Sequence, residues 1–203
     1  MILVGRYLSP FVRRVGTTLH WLNIPFEHRP LSPALDPDAV RPYNPMLKIP
    51  ALVLDDGEIL IESSAILDSL LQTIPDQMLL PASGLARRRV LQQSGIMTSA
   101  LDKSVAAVYE KTKRPKEKIH QPFLDTLIAQ AQAGVDQIEA QVAAGKFGGT
   151  TNPTIADITA AVGYTFMNAM LPDACNAERQ PALAKFAGEF EQTNAFKACQ
   201  FQV

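Results

Sequence analysis

Three short motifs in the amino-terminal third carry the side chains best suited to chemistry: Ser9-Pro10-Phe11-Val12-Arg13, Lys48-Ile49-Pro50 and Glu62-Ser63. Each falls where a strand pattern gives way to a turn or a helix, so the three loops can converge on one end of one small sheet. Backbone amides at such helix starts, joined by a lysine, a carboxylate and two hydroxyls, suit a small anionic peptide. Taken alone, Ser9 reads equally as a helix cap and as a hydrogen-bond donor to a ligand. Lys48 reads either as the partner of a carboxylate or as a solvated surface lysine. Pro50 reads as a cis proline or as an ordinary trans proline entering a strand.

The elements that must hold these motifs follow from hydrophobic rhythm. Met1-Ile2-Leu3-Val4 is a short apolar run and predicts a buried strand. From Pro10, the positions Val12, Val15, Leu19 and Leu22 step by three and four, predicting a helix with proline in its first turn. Ile24 to His28 predicts a second strand, and Asp36 to Arg41 a short helix hemmed in by prolines. Ala51 to Leu54 and Glu58 to Ile61, joined by Asp55-Asp56-Gly57, predict a hairpin, after which Ser63 caps a helix through Leu71. The first two strands are expected to be parallel through a right-handed crossover, and the hairpin antiparallel. The result is a small mixed α/β domain over residues 1–75.

Pro75 to Ser83 reads as a linker. Residues 84–203 are helical in rhythm almost throughout. Met97, Leu101, Val105 and Val108 form one stripe, and Leu124, Leu127, Ala131, Val135, Ile138 and Val142 another that ends at Gly145. Thr154-Ile155-Ala156-Asp157 is a capping box ahead of an apolar helix, and Pro181 opens a further helix.

With 19 basic and 20 acidic residues in 203, the chain has no charge bias toward nucleic acid or an anionic membrane. No apolar run approaches the roughly 18 residues of a membrane span, and the amino terminus does not resemble a secretion signal. Cys175 and Cys199 lack metal or redox spacing and read as reduced structural thiols, while His20, His28 and His120 are scattered. No metal site is expected, and the location expected is the cytoplasm.

The ordered set of motifs resembles the glutathione S-transferase family over nearly the whole chain. Ser9 to Arg13 is similar to the start of the first helix in serine-type members, including plant tau-class and small bacterial proteins. Lys48-Ile49-Pro50-Ala51-Leu52 resembles the family's cis-proline loop, and Glu62-Ser63-Ser64-Ala65-Ile66 its Glu-Ser-x-Ala-Ile signature. The capping box at Thr154 resembles the one that opens a core helix important for folding. Two departures stand out. Leu47 occupies a position where many members have glycine, and Asn194-Ala195-Phe196 stands where Arg-Pro-x-Phe often occurs.

The resemblance implies a thioredoxin-like amino-terminal domain with a mixed four-stranded sheet, then an all-helical domain that contributes the second-substrate site. It implies glutathione as co-substrate, a small apolar electrophile as partner, a homodimer and a role in detoxification. A free thiol of pKa about 8.5 is only slightly ionised at pH 7, and lowering it to about 6.5 takes roughly 2.7 kcal/mol. A hydroxyl donating to the charged sulfur supplies about 1.5–3 kcal/mol, and a helix amino terminus about 0.3–1. By resemblance Ser9 is that donor, with Tyr7 as second choice because another branch of the family uses a tyrosine after the first strand.

Lys48, Ile49, Pro50, Glu62 and Ser63 are the expected glutathione contacts. Lys48 would meet the glycyl carboxylate, the Ile49 backbone the cysteinyl part, and Glu62 with Ser63 the γ-glutamyl end. Arg13 reads as structural. Phe11, Met97, Leu101, Tyr109, Tyr164 and Phe166 are the candidates for the second-substrate pocket. No cysteine stands at the position of Ser9 or Val12, so thiol–disulfide exchange through the protein lacks its nucleophile. Glutathione-dependent isomerisation or dehalogenation would use the same activation. The alternative from another class is a non-catalytic binding or stress-response protein that reuses the fold.

Overall fold

The computed structural model describes residues 1–74 and 77–201. Pro75, predicted to open the linker, lies outside them. Two units divide the described chain, one formed by Met1–Ala82 with Gln192–Val203 and the other by Ser83–Glu191.

The first unit is built on a four-stranded sheet in the order β2-β1-β3-β4. Its elements are β1 (Ile2–Val4), α1 (Pro10–Trp21), β2 (Glu27–Arg29), α2 (Pro37–Val40), β3 (Ala51–Val53), β4 (Ile59–Ile61) and α3 (Ser63–Gln72). β1 runs parallel to β2 and antiparallel to β3, and β3 with β4 forms the predicted hairpin. Leu3 and Leu52 from the sheet, Val12, Val15 and Leu19 from α1, and Ile66, Leu67 and Leu70 from α3 share one core. Each fully buried aliphatic side chain of this kind stabilises by about 1.5–3 kcal/mol.

The second strand begins three residues later than the sequence predicts. Asn23 turns the chain at φ 53° and Pro25 has no amide for a ladder, so pairing starts at Glu27, whose amide donates to the Met1 carbonyl at 3.0 Å. The cap of α3 also differs: Glu62, not Ser63, is the capping residue.

The second unit contains α4 (Gly84–Lys113), α5 (Gln121–Ala143), α6 (Ile155–Met170) and α7 (Pro181–Glu191). The predicted stripes on α4 and α5 are buried at Met97, Leu101, Leu124, Leu127, Ala131, Val135 and Ile138. α6 opens on the predicted capping box. Thr154 Oγ1 accepts from the Ala156 amide at 3.2 Å, and the Asp157 carboxylate accepts from the Thr154 amide at 2.8 Å and the Gly149 amide at 2.7 Å.

The carboxyl-terminal segment does not stay with the helical unit to which the sequence assigns it. It carries a short α8 (Asn194–Ala198) and belongs to the first unit, where Arg13 Nε donates to the Cys199 carbonyl at 2.8 Å. The Arg13 guanidinium lies 5.2 Å from the Phe196 ring centroid, giving this arginine the structural role expected of it. Cys175 and Cys199 are free and buried. Burial raises both thiols, Cys175 to about 12. Among the described residues, no helix is long and apolar enough to cross a membrane, and no group of His, Cys, Asp or Glu is placed to hold a metal ion.

Candidate functional site

One row of the sheet gathers all three motifs. Val4 pairs with Ala51, and Ala51 pairs with Ile61, so β1 ends, β3 begins and β4 ends at the same edge. The residues that follow or precede that row are the loop to Ser9, Pro50, and Glu62. Gly5 lets the loops close on one another. Its φ is +128°, and a Cβ there would lie 2.5 Å from Val12 Cγ2 and 2.9 Å from Ile49 Cβ. Only glycine fits both the angle and the space.

The Ile49–Pro50 peptide bond is cis, as the resemblance implies. The loop before it is held by Asn44, which is buried. Its Nδ2 donates to the Lys48 carbonyl at 3.0 Å and its Oδ1 accepts from the Met46 amide at 3.0 Å. Leu47 sits in this loop at φ 53°, the conformation that explains why glycine suits the position. The Lys48 side chain is exposed.

Ser9 is the N-cap of α1, with extended backbone and a half-buried side chain. Its Oγ accepts from the Val12 amide at 3.4 Å, a long contact. As an acceptor there, the hydroxyl keeps its own proton available for a ligand at the positive end of a twelve-residue helix.

Tyr7 is placed differently. Its phenol lies against Gly16 of α1, where a Cβ would stand 2.6 Å from Tyr7 Cε1 and 3.2 Å from Cys199 Sγ. Burial raises the phenol pKa, and the neighbouring Cys199 thiol, which hydrogen-bonds to it, raises it further. The ring stacks on His28 at 4.0 Å between centroids, and His28 Nε2 donates to the Gly5 carbonyl at 2.8 Å.

The third motif rests on a residue that the sequence reading overlooked, Arg14. This arginine is 1 % exposed, and its Nη1 donates to Ser63 Oγ at 3.0 Å and Ser64 Oγ at 3.2 Å. Burial lowers its pKa to about 10, and the nearby Glu62 opposes that shift, so it remains a cation at neutral pH. The Glu62 carboxylate accepts from the amides of Ser63 at 3.0 Å and Ser64 at 3.4 Å, with its backbone at φ 71°. The Ser63 hydroxyl is therefore buried with its oxygen accepting from Arg14, and the first amides of α3 are committed to Glu62. Ser63, expected with Glu62 to meet the γ-glutamyl end, is buried and keeps its own hydroxyl proton. The exposed groups at this point are the Glu62 carboxylate and Ser64. The sequence signal for Arg14 is slight: a second arginine after Arg13, one turn into an apolar helix.

The second-substrate candidates divide. Met97 and Leu101 are fully buried within the helical unit, and Met97 packs so tightly on α6 that a Cβ on Gly163 would come 2.4 Å from its Sδ. Tyr164 and Phe166 are buried as well. These four are packing residues, their helical spacing being that of a core stripe. Tyr109 is 58 % exposed on α4, and Phe11 is half-buried at the start of α1.

Comparison with known proteins agrees with this geometry. Residues 3–77 match the family model for the glutathione S-transferase amino-terminal domain. The chain is 28 % identical over 181 residues to the uncharacterized GST-like protein YibF of Escherichia coli strain K12, covering 86 % of this chain and 87 % of that one. It is 28 % identical to a glutathione transferase family member from Pseudomonas fluorescens Pf-5 solved with bound glutathione, with a TM-score of 0.84 and coverage of 100 % and 99 %. A structure from the same organism with bound S-(propanoic acid)-glutathione gives 29 % identity, a TM-score of 0.84 and full coverage of both chains. Residues 3–77 thus carry the glutathione S-transferase amino-terminal domain, and over its whole length the chain is similar to glutathione transferases.

Proposed function

We propose that this chain is a serine-type glutathione transferase in which the Ser9 hydroxyl donates a hydrogen bond to the glutathione sulfur and holds it as thiolate. The observation that carries the reading is the placement of Ser9 at the N-cap of α1, half-buried, with a hydroxyl that accepts from the Val12 amide and has its proton to give. Donation to an anionic sulfur supplies about 1.5–3 kcal/mol, and the helix start about 0.3–1, against the roughly 2.7 that a two-unit shift in thiol pKa requires. Tyr7 ranks second because its hydroxyl is engaged with Cys199 and its proton is held by burial.

In this reading the cysteinyl backbone pairs with Ile49 beside Pro50, Lys48 faces the glycyl carboxylate, and the Glu62 carboxylate receives the γ-glutamyl ammonium. Ser63 acts through Arg14 as a positioning residue. The thiolate attacks an electrophilic carbon, forming a C–S bond as the leaving group departs or the double bond takes up the electron pair. Isomerisation and dehalogenation begin from the same thiolate, and the electrophile decides among them. Phe11 and Tyr109 remain the candidates for apolar contact with that second substrate. The bound S-substituted glutathione in the Pseudomonas fluorescens relative supports a sulfur open to substitution. Two buried free thiols fit a reducing, cytoplasmic setting, and conjugation there would serve detoxification.

The test is a calorimetric titration of glutathione into wild type and Ser9→Ala, with thiolate ultraviolet absorbance followed across pH. Wild type is expected to lower the bound thiol pKa by about two units, and Ser9→Ala to return at least half of that shift. An unchanged pKa in Ser9→Ala with loss of thiolate in Tyr7→Phe would transfer the role to Tyr7. Absence of glutathione binding would leave a repurposed fold. A homodimer is expected, and sedimentation velocity showing a monomer at micromolar concentration would overturn it.

A further inference from the structure

The sheet row that gathers the glutathione motifs has a second flank. Val4 also pairs with Arg29 of β2, so Pro30 leaves the sheet at the same edge as Gly5. On that flank lies a recess of about 300 Å³ formed within the first unit and lined by Arg6, Tyr7, Leu8, His28, Lys197 and Gln200, among others. Two cations and an imidazole face it, and among the described residues no carboxylate lines it. Among the described residues, neither Arg6 nor Lys197 has an acidic partner. The wall is fixed in advance, because His28 is stacked on Tyr7 and hydrogen-bonded to the Gly5 carbonyl. Leu8 belongs to the lining and stands one Cα step, about 3.8 Å, from Ser9.

We propose that this recess receives an anionic group, a carboxylate or its equivalent, carried by the electrophilic second substrate. The inference rests on the glutathione reading above and narrows it. The apolar residues that sequence alone offered for the second substrate at Met97, Leu101, Tyr164 and Phe166 are core. The opening on the Ser9 loop is cationic instead. Glutathione on the β3 side of β1 and an anion on the β2 side would bracket the sulfur. An acid-bearing activated alkene or halide is the class of electrophile that this arrangement selects. Two cations without an acidic partner among the described residues favour such a group over a neutral one by at least one charge-assisted hydrogen bond.

The experiment compares binding of S-(carboxyalkyl)glutathiones, with one to four methylenes, against S-alkylglutathiones of equal length by calorimetry. At one length the acid is expected to bind about tenfold tighter than its alkyl match, one charge-assisted hydrogen bond being worth that much. The ratio is expected to fall to near one in Arg6→Gln combined with Lys197→Gln, and to invert in Arg6→Gln combined with Lys197→Glu. Binding of the alkyl conjugates with no acid preference at any length overturns the proposal and leaves the glutathione reading intact. So does an acid preference that survives the double substitution. Failure of glutathione and every alkyl conjugate to bind removes the transferase reading, and this inference falls with it.

Discussion

Helix α1 serves the two ends of the candidate site in opposite ways. At its N-cap, Ser9 is held by one long hydrogen bond of 3.4 Å and is partly open. One turn further on, Arg14 is buried and locked to two serine hydroxyls at 3.0 and 3.2 Å, with Glu62 closing the same corner onto two amides. The end that would recognise the peptide is assembled before any ligand arrives. The end that would do chemistry keeps its hydroxyl loosely committed, so that a sulfur can claim it. Preorganisation lowers the cost of binding, whereas a donor needed by a developing charge must not be satisfied by the protein itself.

That contrast can be broken at several points. Arg14→Met should have the largest effect, lowering unfolding free energy by about 2–4 kcal/mol because a buried cation and its bonds are removed. Urea unfolding measures it, and Arg14→Lys should recover less than half, since one ammonium cannot reproduce the fork. A loss below 1 kcal/mol would show that the α3 corner does not depend on Arg14. Gly5→Ala follows, at about 2–3 kcal/mol, from a clash with Val12 and Ile49 at φ +128°. Circular-dichroism melts report that loss. Ser9→Ala should cost only about 1 kcal/mol in the same melts, as for an ordinary N-cap, while kcat/KM at pH 6.5 falls by about 10- to 100-fold. If its stability falls as far as that of Arg14→Met, the two ends are not different in kind. The smallest change is Leu47→Gly. Relief of the left-handed backbone, worth about 1 kcal/mol or more, exceeds the entropy that glycine adds to the unfolded chain, so a gain of about 0.5 kcal/mol is expected. A loss in the melt would mean that the leucine side chain, not the turn, is what matters there.

The fold was legible because its period signals were local. The apolar run at Ile2–Val4, the three-four stepping of α1 and the Asp55-Asp56-Gly57 hairpin each announced an element within a few residues. The positions of Ser9, Pro50 and Glu62 were legible for the same reason, as junctions between elements. What could not be read was commitment between distant parts. Ser63 and Arg14 are far apart in sequence, and nothing local says that the serine oxygen accepts from a buried guanidinium. Tyr7 ranks as second-choice donor on sequence, where nothing shows that Gly16 and Cys199 close around it. The stripe through Met97 and Leu101 is the same pattern whether it faces a pocket or a core, and burial alone separates the two. The recess with Arg6 and Lys197 joins the two extremes of the chain, so no window of sequence contains it.

The return of residues 192–203 to the first unit sets an order of events during synthesis. Arg13 emerges early from the ribosome, yet its partners at Phe196 and Cys199 are made about 180 residues later. The rest of the first unit and the whole helical unit intervene, which at about 5–20 residues per second is roughly 10–40 s of translation. Throughout that interval the face of α1 that receives α8 is uncovered, with a guanidinium awaiting its acceptor. The amino-terminal unit is thus a vectorially incomplete body until the segment from Gln192 to Cys199 has been made, and a nascent-chain chaperone would find its exposed surface there.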